Sequence, residues 1–178
     1  IATGCVMVHS FALSLARSEA EVDNPIWRQI YTQAFPSLQA MVSVRADGWA
    51  QRGGIDRVLT LASGKTLLVD EKVRQKDYGD VLLEYWSDEG RRTLGWVAKD
   101  LACDFIAYAL LPTAKCYLLP FQQLRYAWKK NGREWVSKYQ RIEADNGTYK
   151  TISVGIPVDV LFGALRDAMT IKWTATGA

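Results

Sequence analysis

The sequence has little of what common catalytic and metal-binding sites are made from. It holds one histidine, His9, in 178 residues, and that residue reads as structural. Histidine-based hydrolysis and a Ser–His–Asp arrangement therefore have no footing. The three cysteines, Cys5, Cys103 and Cys116, are odd in number and far apart, with no CxxC pair. That argues against a disulfide framework or a zinc site and fits a reducing, cytoplasmic setting. There is no GxSxG elbow, Walker loop or GxGxxG. No apolar run approaches the roughly 20 residues that cross a bilayer. The opening IATGCVMVHSFALSLA resembles a signal-peptide core, but it lacks a basic leader and is interrupted by Ser10, Ser14 and Arg17. It reads as a helix of the domain.

What remains is a globular balance. Hydrophobic residues make up 49% and charged residues 23%, enough apolar material for one core. With no repeat, low-complexity stretch or linker, residues 1–178 are expected to form a single domain. The charge, 22 − 19 = +3, permits a nucleic-acid partner without demanding one. Seven tryptophans and eight tyrosines are many for this length. Such side chains fill cores and also stack on bases.

Periodicity predicts helices over SFALSLARSEAEV and over NPIWRQIYTQAF, the second with Pro25 in its first turn and Pro36 at its end. The period then shortens. LQAMVSV, IDRVLTLA and KTLLVDEKV read as three strands, the last two joined at Ser63-Gly64. DVLLEYW is a fourth strand or an extension of the sheet, and RRTLGWVAKDLA reads as a short helix. DFIAYALL and KCYLL flank a turn at Pro112. A helix over PFQQLRYAWKKNG ends at Gly132, a hairpin turns at Asn146-Gly147, and PVDVLFGALRDAM closes the chain as a helix. The expectation is an α/β fold: a mixed central sheet flanked by helices, with a C-terminal hairpin and helix.

Charge inside such strands needs compensation. Asp56 enters the second strand; Asp70, Glu71 and Lys72 stand side by side in the third. Side chains alternate, so Asp70 and Lys72 share a face about 7 Å apart and Glu71 takes the other. Counting outward from the Ser63-Gly64 turn, Asp56 and Asp70 fall within one register step. Two carboxylates helped by a strand carbonyl suit a hard divalent cation. Such a cation activates water and polarises a phosphoryl oxygen, while an ammonium stabilises the charge gathering on the phosphate. The plainer reading is a set of ion pairs on a solvated sheet edge. Against it, Val58, Leu59, Leu61, Leu67, Leu68 and Val69 leave little sign of a wet face.

An acid in one strand, then Asp or Glu, any residue and Lys in the next, after an N-terminal helix, resembles the PD-(D/E)XK nuclease superfamily. The matching residues are Asp56 in GGIDRVL and Asp70-Glu71-Lys72 in LLVDEKV, and the likeness runs roughly from Val22 to Pro120. The usual proline before the first acid is replaced by Ile55. The resemblance implies a restriction-endonuclease-like αβββαβ core and metal-dependent cleavage of phosphodiester bonds, DNA before RNA. It implies Mg²⁺, or Mn²⁺, on Asp56 and Asp70 with the Glu71 backbone carbonyl, and a catalytic role for Lys72. Many members add a glutamate from the first helix, here Glu19 in preference to Glu21. Arg74 and Lys76 would reach the scissile strand's phosphates. A homodimer and a bacterial or phage origin are in keeping with the family.

Arg125, Lys129 and Lys130 begin a second basic stripe, interleaved with Tyr126 and Trp128, that suits a phosphate backbone or simply a solvated helix face. Glu84, an acid in the apolar VLLEYW, reads as a structural residue before a supporting one. Asp100 and Asp104 read as caps at a helix–strand junction. Two rival functions stay open: a nucleic-acid-binding module without catalysis, and an assembly protein whose aromatics serve a protein interface.

Overall fold

The computed structural model describes residues 25–174. The expected N-terminal helix, with His9, Cys5, Glu19 and Glu21, lies outside those residues. Helix α1 (Ile26–Ala34) follows Pro25, and its buried stripe of Ile26, Trp27, Ile30 and Tyr31 is an amphipathic face at helical spacing. Strands β1 (Leu38–Ser43), β2 (Arg57–Leu61) and β3 (Thr66–Arg74) form an antiparallel meander. A one-and-a-half-turn helix, α2 (Gly48–Arg52), interrupts it; the Asp47 carboxylate caps α2 by accepting from the Trp49 and Ala50 amides.

The chain then leaves the sheet. Strand β4 (Asp80–Asp88) and the two-residue β5 (Thr93–Leu94) belong to a second sheet. It returns as β6 (Phe105–Leu110), parallel to β3, followed by β7 (Lys115–Pro120) after a turn in which Ala114 is left-handed. Helix α3 (Phe121–Lys138) leads to the hairpin β8 (Arg141–Asp145) and β9 (Lys150–Pro157), then the short α4 (Val158–Gly163) and β10 (Met169–Lys172). The strand orders are β1-β2-β3-β6-β7-β10 in the mixed sheet and β5-β4-β9-β8 in the other.

The mixed α/β class stands; three details differ from expectation. RRTLGWVAKDLA carries Leu94, Val97, Ala98 and Leu101 at helical spacing, yet it forms β5 and a turn. Its backbone donors are claimed from outside: the Gly95 amide bonds the Tyr85 carbonyl at 2.8 Å and the Val97 amide that of Glu84 at 3.2 Å. The mixed sheet is thus covered by a helix on one face and by a second sheet with α3 on the other. Gly132 does not end α3, which runs on to Lys138 with Trp135 in the core. The closing helix stops at Gly163, and MTIK becomes an edge strand paired with β7.

Two cores follow from side-chain alternation. Odd-numbered β3 residues join the α1 face, with Leu67 and Val69 beside Trp27 and Ile30. The opposite face of the sheet, with Ile106, Tyr108 and Leu119, packs on Val81 and Leu83 of β4 and Leu124 of α3. No helix among the described residues is long and apolar enough to cross a membrane.

Candidate active site

The site forms where the β2–β3 ladder ends. Its last pair is Arg57↔Val69; one further step sets Asp56 beside Asp70. There the ladder gives way, since β3 runs on to Arg74 while β2 has begun only at Arg57. The Asp56 amide bonds the Val69 carbonyl at 2.9 Å, and Asp56 Oδ2 accepts from the Glu71 amide at 2.7 Å. Gly54, at φ +67, turns the chain into this position against Leu101, a conformation that favours glycine.

The parity of β3 decides which backbone groups reach the site. The Val69 carbonyl and the Glu71 amide both turn toward β2. Paired residues exchange their amide and carbonyl bonds across the same edge, so the Glu71 carbonyl also leaves toward Asp56, beyond the last β2 pair. The Glu71 side chain goes the opposite way. It is buried on the α1 face, accepting from Tyr31 Oη at 2.7 Å and from Arg57 Nε at 2.5 Å, with Arg45 Nη2 at 3.3 Å. Arg45 also lies 3.5 Å from Asp56 Oδ2, which links the two clusters. Burial first, then the Glu71 charge, pushes the Tyr31 phenol well above its ordinary value.

On the site face, Asp70 is 3% exposed and Lys72 Nζ donates to its Oδ1 at 2.6 Å. Burial raises the Asp70 carboxyl to about 6; Lys72 opposes the rise and the neighbouring Asp56 charge adds to it. Burial works against the Lys72 ammonium, but the Asp70 carboxylate outweighs it, Asp56 and Glu84 add, and the pKa ends above its ordinary value. Lys72 is therefore a charged donor at neutral pH and not a proton acceptor. A third of its side chain reaches solvent, and its Nζ stands 6.0 Å from the centre of the Trp96 ring.

Glu84 comes to the same place from the second sheet. Burial raises its carboxyl, while Lys72 and Lys99 lower it and the Trp96 amide donates to it. Gly95 allows this, because a Cβ there would overlap the Glu84 backbone carbonyl. The sequence signal was the lone acid in an apolar strand. What it could not supply was the neighbour, since Lys72 and Glu84 meet only through the packing of two sheets. Asp104 ties the start of β6 to β3, its carboxylate accepting from the Leu68 amide at 2.8 Å, and Asp100 pairs with Arg125.

The expected phosphate contacts separate. Arg74 donates to the Asp80 carboxylate at 2.5 Å and lies 5.3 Å from the Tyr78 ring centre, so its charge is engaged; Lys76 is exposed in the following loop. Arg125 and Lys129 line a groove beside α3, and Lys130 lies outside that lining.

Among the described residues, no three His, Cys, Asp or Glu side chains are grouped to hold a metal ion. The available donors are two carboxylates and the Glu71 carbonyl, a set that suits Mg²⁺ because that ion keeps several waters. The mutual repulsion of Asp56 and Asp70 is what such a cation would relieve.

The Asp70 shift has a thermodynamic consequence. Its folded pKa, about 6, lies above the ordinary 3.8, so between those values the folded chain holds the extra proton. This contribution to stability is fully present below 3.8 and is lost as pH rises through 6. Asp70→Asn is expected to remove that part of the pH dependence, read as urea midpoints of both proteins between pH 4 and pH 7. Identical slopes would show that Asp70 titrates normally.

No protein-family model, curated protein or solved structure matches this chain.

Proposed function

We propose that this protein is a metal-dependent nuclease of the PD-(D/E)XK type, hydrolysing phosphodiester bonds in DNA in preference to RNA. The observation that carries the reading is the meeting of Asp56 and Asp70 at the splayed end of β2 and β3, with the Lys72 ammonium on Asp70. Support also comes from the order helix, three-stranded meander and parallel fourth strand, α1-β1-β2-β3 and then β6. The chain departs from αβββαβ in its crossover, which runs through β4 and β5 where that core has a helix.

In this reading Asp56, Asp70 and the Glu71 carbonyl hold Mg²⁺ or Mn²⁺. The bound cation supplies charge neutralisation at the phosphate and an acidified water. Lys72 holds a proton throughout and donates toward the oxygens on which negative charge develops. The Glu84 carboxylate, facing Lys72 from the second sheet, favours the charged ammonium there. The rim of Trp96 limits water on that side.

The test is cleavage of plasmid, linear duplex, branched and single-stranded DNA, and of RNA, with Mg²⁺, with Mn²⁺ and with chelator. Metal-dependent cutting of DNA is expected, abolished in Asp70→Ala. Salt-sensitive binding without cutting under any condition would replace the nuclease reading with that of a binding module.

A further inference from the structure

A groove of about 520 Å³ opens between α3 and the turn after β5. Leu94, Trp128 and Gly132 contribute to an apolar floor, and Arg125, Lys129 and Arg133 form one edge. No carboxylate lines it. The three cations stand at positions i, i+4 and i+8 of α3, so they share a face, about 6 Å apart along the axis. That is close to the step between successive phosphates of a nucleotide strand. Arg125 pairs with Asp100, whose side chain is 79% exposed; its own Nε, shielded from solvent, has no hydrogen-bond partner. Lys129 and Arg133 have no acidic partner among the described residues. Trp128, packed over Gly132 and stacked on Tyr85 at 5.8 Å, forms part of the floor.

The groove also adjoins the candidate active site through a shared wall. The turn after β5 is pinned to β4 by the Gly95 and Val97 amides. From it, Trp96 reaches Lys72 while Leu94 and Ala98 line the groove. A cavity of this size holds a ligand of one or two nucleotides; it has no room for a base-paired helix.

We propose that this groove takes an unpaired nucleotide of the strand next to the scissile phosphate. Its base lies on the apolar floor and its phosphates lie along Arg125, Lys129 and Arg133, so the protein selects DNA with a single-stranded tail over blunt duplex. This rests on the reading of Asp56, Asp70 and Lys72 as the cutting site.

The experiment is fluorescence anisotropy in chelator, where nothing is cut, with a labelled blunt duplex and the same duplex carrying an unpaired tail. The wild type is expected to bind the tailed duplex about tenfold more tightly, the worth of roughly one stacked base. Lys129→Glu/Arg133→Glu, two exposed positions, should bring that ratio to about 1 while Lys172→Glu, on an edge strand, leaves it unchanged. Equal affinity of the wild type for both duplexes, or a ratio that survives in the double variant, overturns the groove assignment. So does failure to bind either duplex. Because the readout is binding, tail preference without metal-dependent cutting would retain the groove and reject the nuclease, and cutting without tail preference would do the reverse.

Discussion

Lys72→Ala is expected to slow DNA cleavage by about 10²–10³-fold, the usual cost of removing one charged or hydrogen-bonding stabiliser of a developing anion. Metal and DNA binding should be largely kept. The reason is the division of labour at the end of β3. In the proposed reading Asp56 and Asp70 would supply the negative charge that a cation needs, whereas Lys72 would supply positive charge to the substrate. Asp70→Asn should therefore fail differently, losing both cleavage and the rise in melting temperature that Ca²⁺ or Mn²⁺ gives the wild type. Single-turnover cleavage and thermal melts with and without metal separate the two variants. Normal turnover in Lys72→Ala would remove that residue from the chemistry. An undiminished metal-induced rise in Asp70→Asn would remove Asp70 from the metal site.

Glu71→Ala is expected to be the most damaging single change to stability on the other face of the same strand. It takes a buried carboxylate away from Arg57 and Tyr31, which contact it at 2.5 and 2.7 Å. Removing one partner of a buried ion pair costs about 3–5 kcal/mol. For a chain of this length that is a fall in melting temperature of roughly 10 °C. Tyr31→Phe deletes one hydrogen bond to a charged acceptor and should cost about 1.5–3 kcal/mol. Replacing the buried set, as Tyr31→Phe/Arg57→Met/Glu71→Met, should recover much of the loss, because apolar side chains of similar volume carry no desolvation penalty and no buried hydroxyl is left without its acceptor. Urea unfolding of the three variants checks the order. A Glu71→Ala midpoint equal to that of the wild type would show that the cluster contributes nothing to stability.

These two expectations concern neighbouring residues of one strand, and much of the difference between them was legible in the sequence. Period-two alternation alone separates Asp70 and Lys72 from Glu71, and the Ser63-Gly64 turn brings Asp56 to Asp70 by simple counting. Both are local relations, set by chain geometry over a few residues, and the observed register Arg57↔Val69 agrees with them. The Asn146-Gly147 hairpin and the apolar stripe of α1 are local in the same sense.

What needed tertiary structure were the partners that arrive from afar. Gly132 looks like a helix stop, yet helix α3 continues because Trp135 is buried beyond it. Residues 91–102 have a helical spacing of apolar side chains, but β4 takes their amides and holds them as a turn. MTIK becomes a strand because the edge of β7 lacks a neighbour. Glu84 approaches Lys72 across two packed sheets, and Arg45 and Tyr31 close on Glu71 from 26 and 40 residues away. The sequence by itself determined which residues alternate, turn and carry charge at the end of β3. Only the tertiary structure decided which of those charges are neutralised, because that depends on long-range packing, and packing energy is shared among segments that no local pattern connects.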